Sequence, residues 1–232
     1  MESALNTRNQ LWCVWSGVIF LVLFGLGWGL IARFVPPPAP ALGAGEIADF
    51  YRQNTQMIRL GLVVTQISCI FLPPWVAALS VQMKRVEGSA PVLAYTQLIC
   101  GLAAMLVILG STLIWGTVAF RPERDPELLQ LINDLGWLIF TMTFAPFSTQ
   151  GIAVALAIFS DKGAEPMFPR WVAYFNLWTA TIFLPTGLIL FFKTGPFAWN
   201  GLIGFWLPVG EFGLWFAVMT VLMLKAIKRQ AG

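Results

Sequence analysis

The sequence predicts an all-α, polytopic membrane protein, a bundle of six transmembrane helices with proline-kinked spans. Three observations predict it. Of the 232 residues, 11% are charged and 58% apolar, whereas a water-soluble domain carries about 25% charge because its whole surface must be hydrated. The mean hydropathy is +0.76. Six apolar runs reach the length of about 20 residues that crosses the hydrocarbon core of a bilayer. This composition excludes a disordered tail, a nucleic-acid module and an ordinary water-soluble enzyme, all of which need far more Lys, Arg, Asp or Glu.

The elements follow in order along a single membrane domain, residues 1–232. The first run, residues 11–32, exceeds the roughly 7–15 residues of a signal-peptide core and is expected to remain a span. After the stiff Pro36-Pro37-Pro38 stretch, residues 45–56 set Ile47, Phe50 and Tyr51 among Glu46, Asp49 and Arg52, the pattern of a short amphipathic helix lying on the interface. Spans two and three are residues 60–83 and 92–120. In the third, Gly101, Ala104, Ile108 and Ser111 share a side and read as a close-packing face. Asp125-Pro126-Glu127 is a helix start, with a capping acid, proline at the first helical position and a second acid favoured by the dipole. The fourth span, residues 135–160, therefore starts as helix before it enters lipid, with Asp134 near the boundary. Spans five and six are residues 171–192 and 201–224. Trp12, Trp15, Trp171 and Trp199 stand at span starts, where indoles favour the headgroup layer.

Six spans put both termini on one side. The terminal side carries eight Lys and Arg against six on the other, so both termini are expected in the cytoplasm. Ile70-Phe71-Leu72-Pro73 recurs at 182–185 and Leu26-Gly27-Trp28 at 135–137, at offsets of 112 and 109. The recurrence suggests two inverted three-helix repeats; the alternative is chance recurrence in apolar sequence.

Chemistry is narrowed first by what is missing. The chain has no histidine, the commonest protein ligand of haem iron, copper and catalytic zinc. Cys13, Cys69 and Cys100 lie in separate runs without metal-ligand spacing, and Lys193 and Lys225 sit at the ends of runs rather than inside them. No cofactor and no metal site is implied. Pro73, Pro74, Pro146, Pro185 and Pro208 fall inside spans two, four, five and six; each removes a backbone donor and frees the carbonyl four residues earlier, which must find a partner or line a cavity. Glu211 is the only carboxylate deep in an apolar run. A charge at the membrane centre costs about 2.5–3.5 kcal/mol, so Glu211 must be neutralised, paired or hydrated. It shares a face with Gly204, Pro208 and Trp215.

Other polar groups fall on stripes: Arg59, Gln66, Cys69 and Pro73 in span two, Asn176 and Thr179 in span five, and Asp134, Thr141 and Ser148 in span four. Arg59 is the expected outer-side ion-pair partner of Asp134. Glu211, Trp206, Trp215, Gln66 and Asn176 form the candidate ligand-binding or proton site; none is read as catalytic. The leading expectation is a non-enzymatic protein that binds a small apolar molecule, a lipid or isoprenoid, behind the proline kinks. The alternatives are a proton-coupled secondary transporter and an accessory subunit of a membrane complex. Expected partners are membrane lipids, a small apolar ligand or a membrane protein, and no nucleic acid.

The stretch Gly45-Glu46-Ile47-Ala48-Asp49-Phe50-Tyr51, then Arg59-Leu60-Gly61, and later Phe168-Pro169-Arg170-Trp171, resembles segments of a group of uncharacterised bacterial multi-spanning membrane proteins classed as a domain of unknown function. The resemblance implies a bacterial cytoplasmic (inner) membrane protein and carries no activity.

Overall fold

A computed structural model describes residues 2–163 and 165–231. Eight α-helices occur among them: α1 (Glu2–Phe24), α2 (Ala44–Ser68), α3 (Leu72–Glu87), α4 (Val92–Phe120), α5 (Pro126–Met142), α6 (Ala145–Ser160), α7 (Trp171–Phe183) and α8 (Leu207–Ala231). No strand occurs among the described residues. The helices make six stretches long and apolar enough to cross a membrane: Asn6–Ile31, Ala44–Glu87, Val92–Phe120, Pro126–Ser160, Trp171–Phe191 and Leu202–Gln230. The protein is a multi-pass, all-α membrane bundle.

There are more helices than spans because several spans are broken, and proline sets where. A 3-10 turn, Cys69–Phe71, separates α2 from α3, whose first turn holds Pro73. Between α5 and α6, Thr143 leaves the helical region at φ −80 and ψ 67, and Pro146 lies in the first turn of α6. The fifth span passes from α7 into a 3-10 helix, Leu184–Phe191, with Pro185 at its start. The sixth begins as a π-helix, Leu202–Trp206, and becomes α-helical at Leu207-Pro208. In each case proline opens the new segment, where its missing N–H has no intrahelical acceptor to lose. The first span breaks without proline, at the π-helix Gly25–Ile31. Only the span formed by α4 runs unbroken; its small face, Gly101, Ala104, Ile108 and Ser111, is buried.

The segment expected as a separate interfacial helix, residues 45–56, is instead the first half of α2, continuous with the membrane span. Its polar residues mark a helix face turned outward, while Ile47, Ala48 and Tyr51 are buried. Its N-terminus is closed by Glu46, which accepts from the Gly43 N–H at 2.8 Å. It packs on α5 and on the turn after α4: the Tyr51 hydroxyl donates to Asn133 at 3.1 Å and Arg52 Nε donates to the Pro122 carbonyl at 2.9 Å. At 44 residues, Ala44–Glu87 is longer than the roughly 20 residues a hydrocarbon core requires.

Two cores fill the bundle. One, on the side of the termini, packs Val14, Phe20, Trp75, Leu79, Trp215, Phe216 and Met223 among many alanines from α6 and α7. The other, on the opposite side, is aromatic: Trp28, Phe34, Tyr51, Trp115, Trp137, Trp199 and Phe205. Trp199, expected as a headgroup anchor, belongs to this core at 6% exposure, its indole donating to the Pro38 carbonyl at 2.9 Å. The anchoring expectation is better matched by Trp12, Trp15 and Trp171, which are all exposed.

Candidate functional site: a cleft at the helix breaks

The two cores meet at the level of the breaks and do not close completely. A cleft of about 80 Å³ lies there. Phe24 and Trp28 line it from the break in span one, Val107 and Ile108 from α4, and Phe140, Thr141, Thr143 and Phe147 from the α5–α6 break. Phe183 closes it from the end of α7, and Gly204, Phe205, Pro208, Val209 and Phe212 from the start of span six. Four of the five contributing spans are interrupted where they touch the cleft. This follows from the backbone: a helix that changes pitch sets successive side chains off the normal 3.6-residue rows, so neighbouring ridges no longer interdigitate.

The wall is almost entirely apolar, and both of its hydroxyls are hydrogen-bonded. Thr141 and Thr143 donate to the carbonyls of Trp137 and Ile139, both at 2.6 Å. The second bond satisfies a carbonyl orphaned by the end of α5, and the Phe144 N–H satisfies another, that of Met142, at 2.8 Å. Trp28 is 2% exposed, and its indole N–H has no partner.

Beside the cleft, α7 and α8 share polar contacts. The Thr179 hydroxyl donates to Oε1 of Glu211 at 2.5 Å, and the Trp215 indole donates to Oδ1 of Asn176 at 2.8 Å. Glu211 is 6% exposed. Thr179 and Trp215 edge a second, far smaller space of about 10 Å³ that also touches Gln150 and Gly151. Phe147, Phe183 and Phe212 line both spaces and stand between them. Phe147 stacks on Phe183 at 5.0 Å and meets Phe212 edge-on at 5.9 Å.

Of the residues singled out in the sequence, the structure brings Glu211, Trp215 and Asn176 to one helix pair, with Thr179 as a fourth member. Glu211 does not line the cleft, although Gly204 and Pro208, expected on its face, do. Trp206 is 43% exposed and points out of the bundle. Gln66 is elsewhere: its amide bonds Thr112 and the Leu109 carbonyl, joining α2 to α4. The Arg59–Asp134 ion pair does not form. Arg59 donates to the carbonyls of Ala119 and Phe120 at 2.9 and 3.1 Å, and Asp134 accepts from the Asn133 amide at 3.2 Å. A guanidinium carries several fixed donors, and the unpaired carbonyls at the end of α4 are closer acceptors than a carboxylate on another helix.

Sequence reasoning missed Trp28, Phe140 and Phe205, which form the cleft's aromatic wall. The available signal was Gly25-Leu26-Gly27-Trp28-Gly29, a glycine spacing that weakens regular helix around a large ring. Among the described residues no three His, Cys, Asp or Glu side chains converge as a metal site would require. Comparison with family models, with curated proteins and with solved structures gave no match.

Proposed function

We propose that this is a non-enzymatic membrane protein that binds a small, largely apolar molecule of lipid or isoprenoid type in the cleft at the helix breaks. One observation carries the reading: of the fourteen side chains and glycines around the cleft, all but Thr141 and Thr143 are apolar or aromatic, and both hydroxyls are turned to their own helix. Such a wall, open on one side, suits a hydrophobic ligand entering from lipid. Glu211, expected within the binding site, lies outside this wall. The resemblance noted in the sequence and the distribution of Lys and Arg support a bacterial cytoplasmic membrane with both termini inside.

Native mass spectrometry of protein released gently from its own membrane tests the reading. A bound small molecule is expected in the wild type and lost in Val209→Trp, which fills the cleft. An empty wild type, or a molecule retained by Val209→Trp, would overturn it.

A second reading, a proton-coupled secondary transporter, draws on one specific feature: a buried acid, Glu211, lies beside interrupted helices, as coupling sites do in many transporters. It requires pH-driven uptake into proteoliposomes that Glu211→Gln abolishes without loss of folding; uptake unchanged in that variant would remove it.

A further inference from the structure

We propose that a separate, polar pocket at the terminal-side end of the bundle binds a phosphoethanolamine group, a phosphate and a primary ammonium on one short linker. The pocket holds about 200 Å³, more than the apolar cleft. Arg85, Asp161, Glu165 and Arg229 line it, with Val86, Met167 and Ala226 as its apolar part. Spans two, four and six end around it, α3 at Glu87, α6 at Ser160 and α8 at Ala231. It therefore lies where the bundle leaves the hydrocarbon, at the level of lipid headgroups.

The charges around this space are held apart. Asp161 folds the loop after α6 by accepting from the Gly163 and Met167 N–H groups at 3.0 and 2.6 Å. Arg229 Nη2 ties the same loop to α8 by donating to the Pro166 and Met167 carbonyls at 3.4 and 2.9 Å. On α3, Arg85 Nη1 donates to Gln82 Oε1 at 3.0 Å, and the Gln230 amide donates to the same oxygen at 2.7 Å, joining α3 to α8. Uncharged acceptors thus position both arginines. Among the described residues, Nε and Nη2 of Arg85, Nε and Nη1 of Arg229 and the Glu165 carboxylate make no hydrogen bond, and no ion pair closes the pocket.

A ligand of one sign does not fit this balance. A phosphate alone would meet two guanidiniums but also two carboxylates and the negative C-terminal ends of three helices. An ammonium alone would meet the guanidiniums. A ligand carrying both signs pairs each: the guanidinium forks suit phosphate oxygens, and an ammonium donates to Glu165 and to the remaining lone pairs of Asp161. Phosphate rather than carboxylate follows from the level of the pocket, where basic sites between membrane helices meet phosphodiester headgroups.

Native mass spectrometry of the detergent-solubilised full chain tests the assignment, with dioleoyl-phosphatidylethanolamine titrated against dioleoyl-phosphatidylglycerol, which keeps the phosphate and lacks the ammonium. The ethanolamine lipid is expected to bind about fivefold tighter, Glu165→Gln to remove that preference, and Arg85→Gln to weaken both lipids about fivefold, the scale of a partly exposed charge contact. Lys84→Gln, the adjacent cation outside the pocket, is expected to change neither. An excess of O-phosphoethanolamine separates the two sources of the group: a lipid adduct that survives it assigns the pocket to a headgroup, and replacement of the lipid by the small molecule assigns it to the free compound. Equal binding of the two lipids, no binding of either ethanolamine compound, or a loss in Lys84→Gln equal to that in Arg85→Gln would overturn the proposal. The comparison of lipids is made on the wild-type protein, so it decides the matter even if a variant fails to fold.

Discussion

The two cores solve the same burial problem differently. On the terminal side, the large indoles are tied: Trp75 donates to the Thr220 hydroxyl at 2.9 Å and Trp215 to Asn176 at 2.8 Å. On the opposite side, Trp199 is tied to the Pro38 carbonyl, but Trp28, Trp115 and Trp137 leave their N–H groups unpaired and are placed by packing and ring contacts, with Trp115 and Trp137 at 4.8 Å and Trp28 and Trp137 at 6.1 Å. A directional bond fixes one arrangement, whereas ring pairs worth about 0.5–1.5 kcal/mol each tolerate several. The cleft opens along the edge of the core that is held by rings. In a bilayer, where lipid tails compete equally for apolar surface, packing and hydrogen bonds rather than water exclusion hold helices together. The aromatic core is thus the half of the molecule with room to adapt.

The sharpest way to break this comparison is at the contact on which the aromatic core is built. A Cβ on Gly61 would lie 2.3 Å from the Ala32 nitrogen and 2.5 Å from the Gly27 carbonyl oxygen, both backbone atoms of the first span's break, so no side chain can move aside. Gly61→Val is expected to cost about 3 kcal/mol or more and to abolish a monodisperse folded species on size-exclusion chromatography in detergent. Gly110→Val, where a Cβ meets open space, serves as the control and is expected to leave the profile unchanged. A folded Gly61→Val protein with an unchanged melting temperature would refute the close approach.

The next test separates the two kinds of indole. Tryptophan-to-phenylalanine changes remove an N–H along with part of a ring at all sites. Trp75→Phe and Trp215→Phe also strand Thr220 and Asn176, so each is expected to cost about 1–3 kcal/mol more than Trp115→Phe or Trp137→Phe, measured by reversible denaturation in mixed micelles. Equal losses at the four sites would show that the bonds at Trp75 and Trp215 contribute nothing, and the contrast between the cores would collapse.

How far the sequence could be read follows from the range of each cause. The six spans were legible because hydropathy is a local sum. Four breaks were legible because proline acts on its own backbone: Pro73, Pro146, Pro185 and Pro208 each lie at the start of a new segment. The break at Gly25–Ile31 has no proline to mark it, only its glycine spacing, and its docking of Gly27 against Gly61 joins residues far apart in the chain. The continuity of α2 was hidden because a helix face turned to water and an interfacial helix have the same pattern of residues. Asn176 and Thr179 were correctly placed on one face, yet nothing local said that Thr179 would meet Glu211 while Gln66 would meet Thr112. Pairing across helices is a property of the packed bundle.

A smaller effect probes the polar contact between α7 and α8. Glu211→Gln keeps an oxygen in reach of the Thr179 hydroxyl and is expected to be nearly neutral, whereas Glu211→Leu removes the acceptor and should cost about 0.6–1.7 kcal/mol, the range of hydrogen bonds between membrane helices. Without Glu211 the single Thr179 O–H turns to the Phe175 carbonyl, 3.0 Å away, which is why the loss stays small. Thermal melting in a single detergent compares the two variants; a Gln variant as destabilised as the Leu variant would mean that the charge, and not the hydrogen bond, holds the contact.

The smallest expected effect is a coupling of zero. If Arg59 were the counter-ion of Asp134, removing either would weaken the other's contribution. The structure instead gives Arg59 to the end of α4, where it satisfies the carbonyls of Ala119 and Phe120, a position where a cation also meets the negative end of the helix dipole. Arg59→Ala should therefore lower stability by about 1 kcal/mol through loss of that C-terminal cap, and Asp134→Asn should leave that loss unchanged. In a double-mutant cycle the two effects should add to within about 0.3–0.5 kcal/mol. A coupling above about 1 kcal/mol would restore the ion pair, and with it a second tie between α2 and α5 beside the Tyr51–Asn133 hydrogen bond.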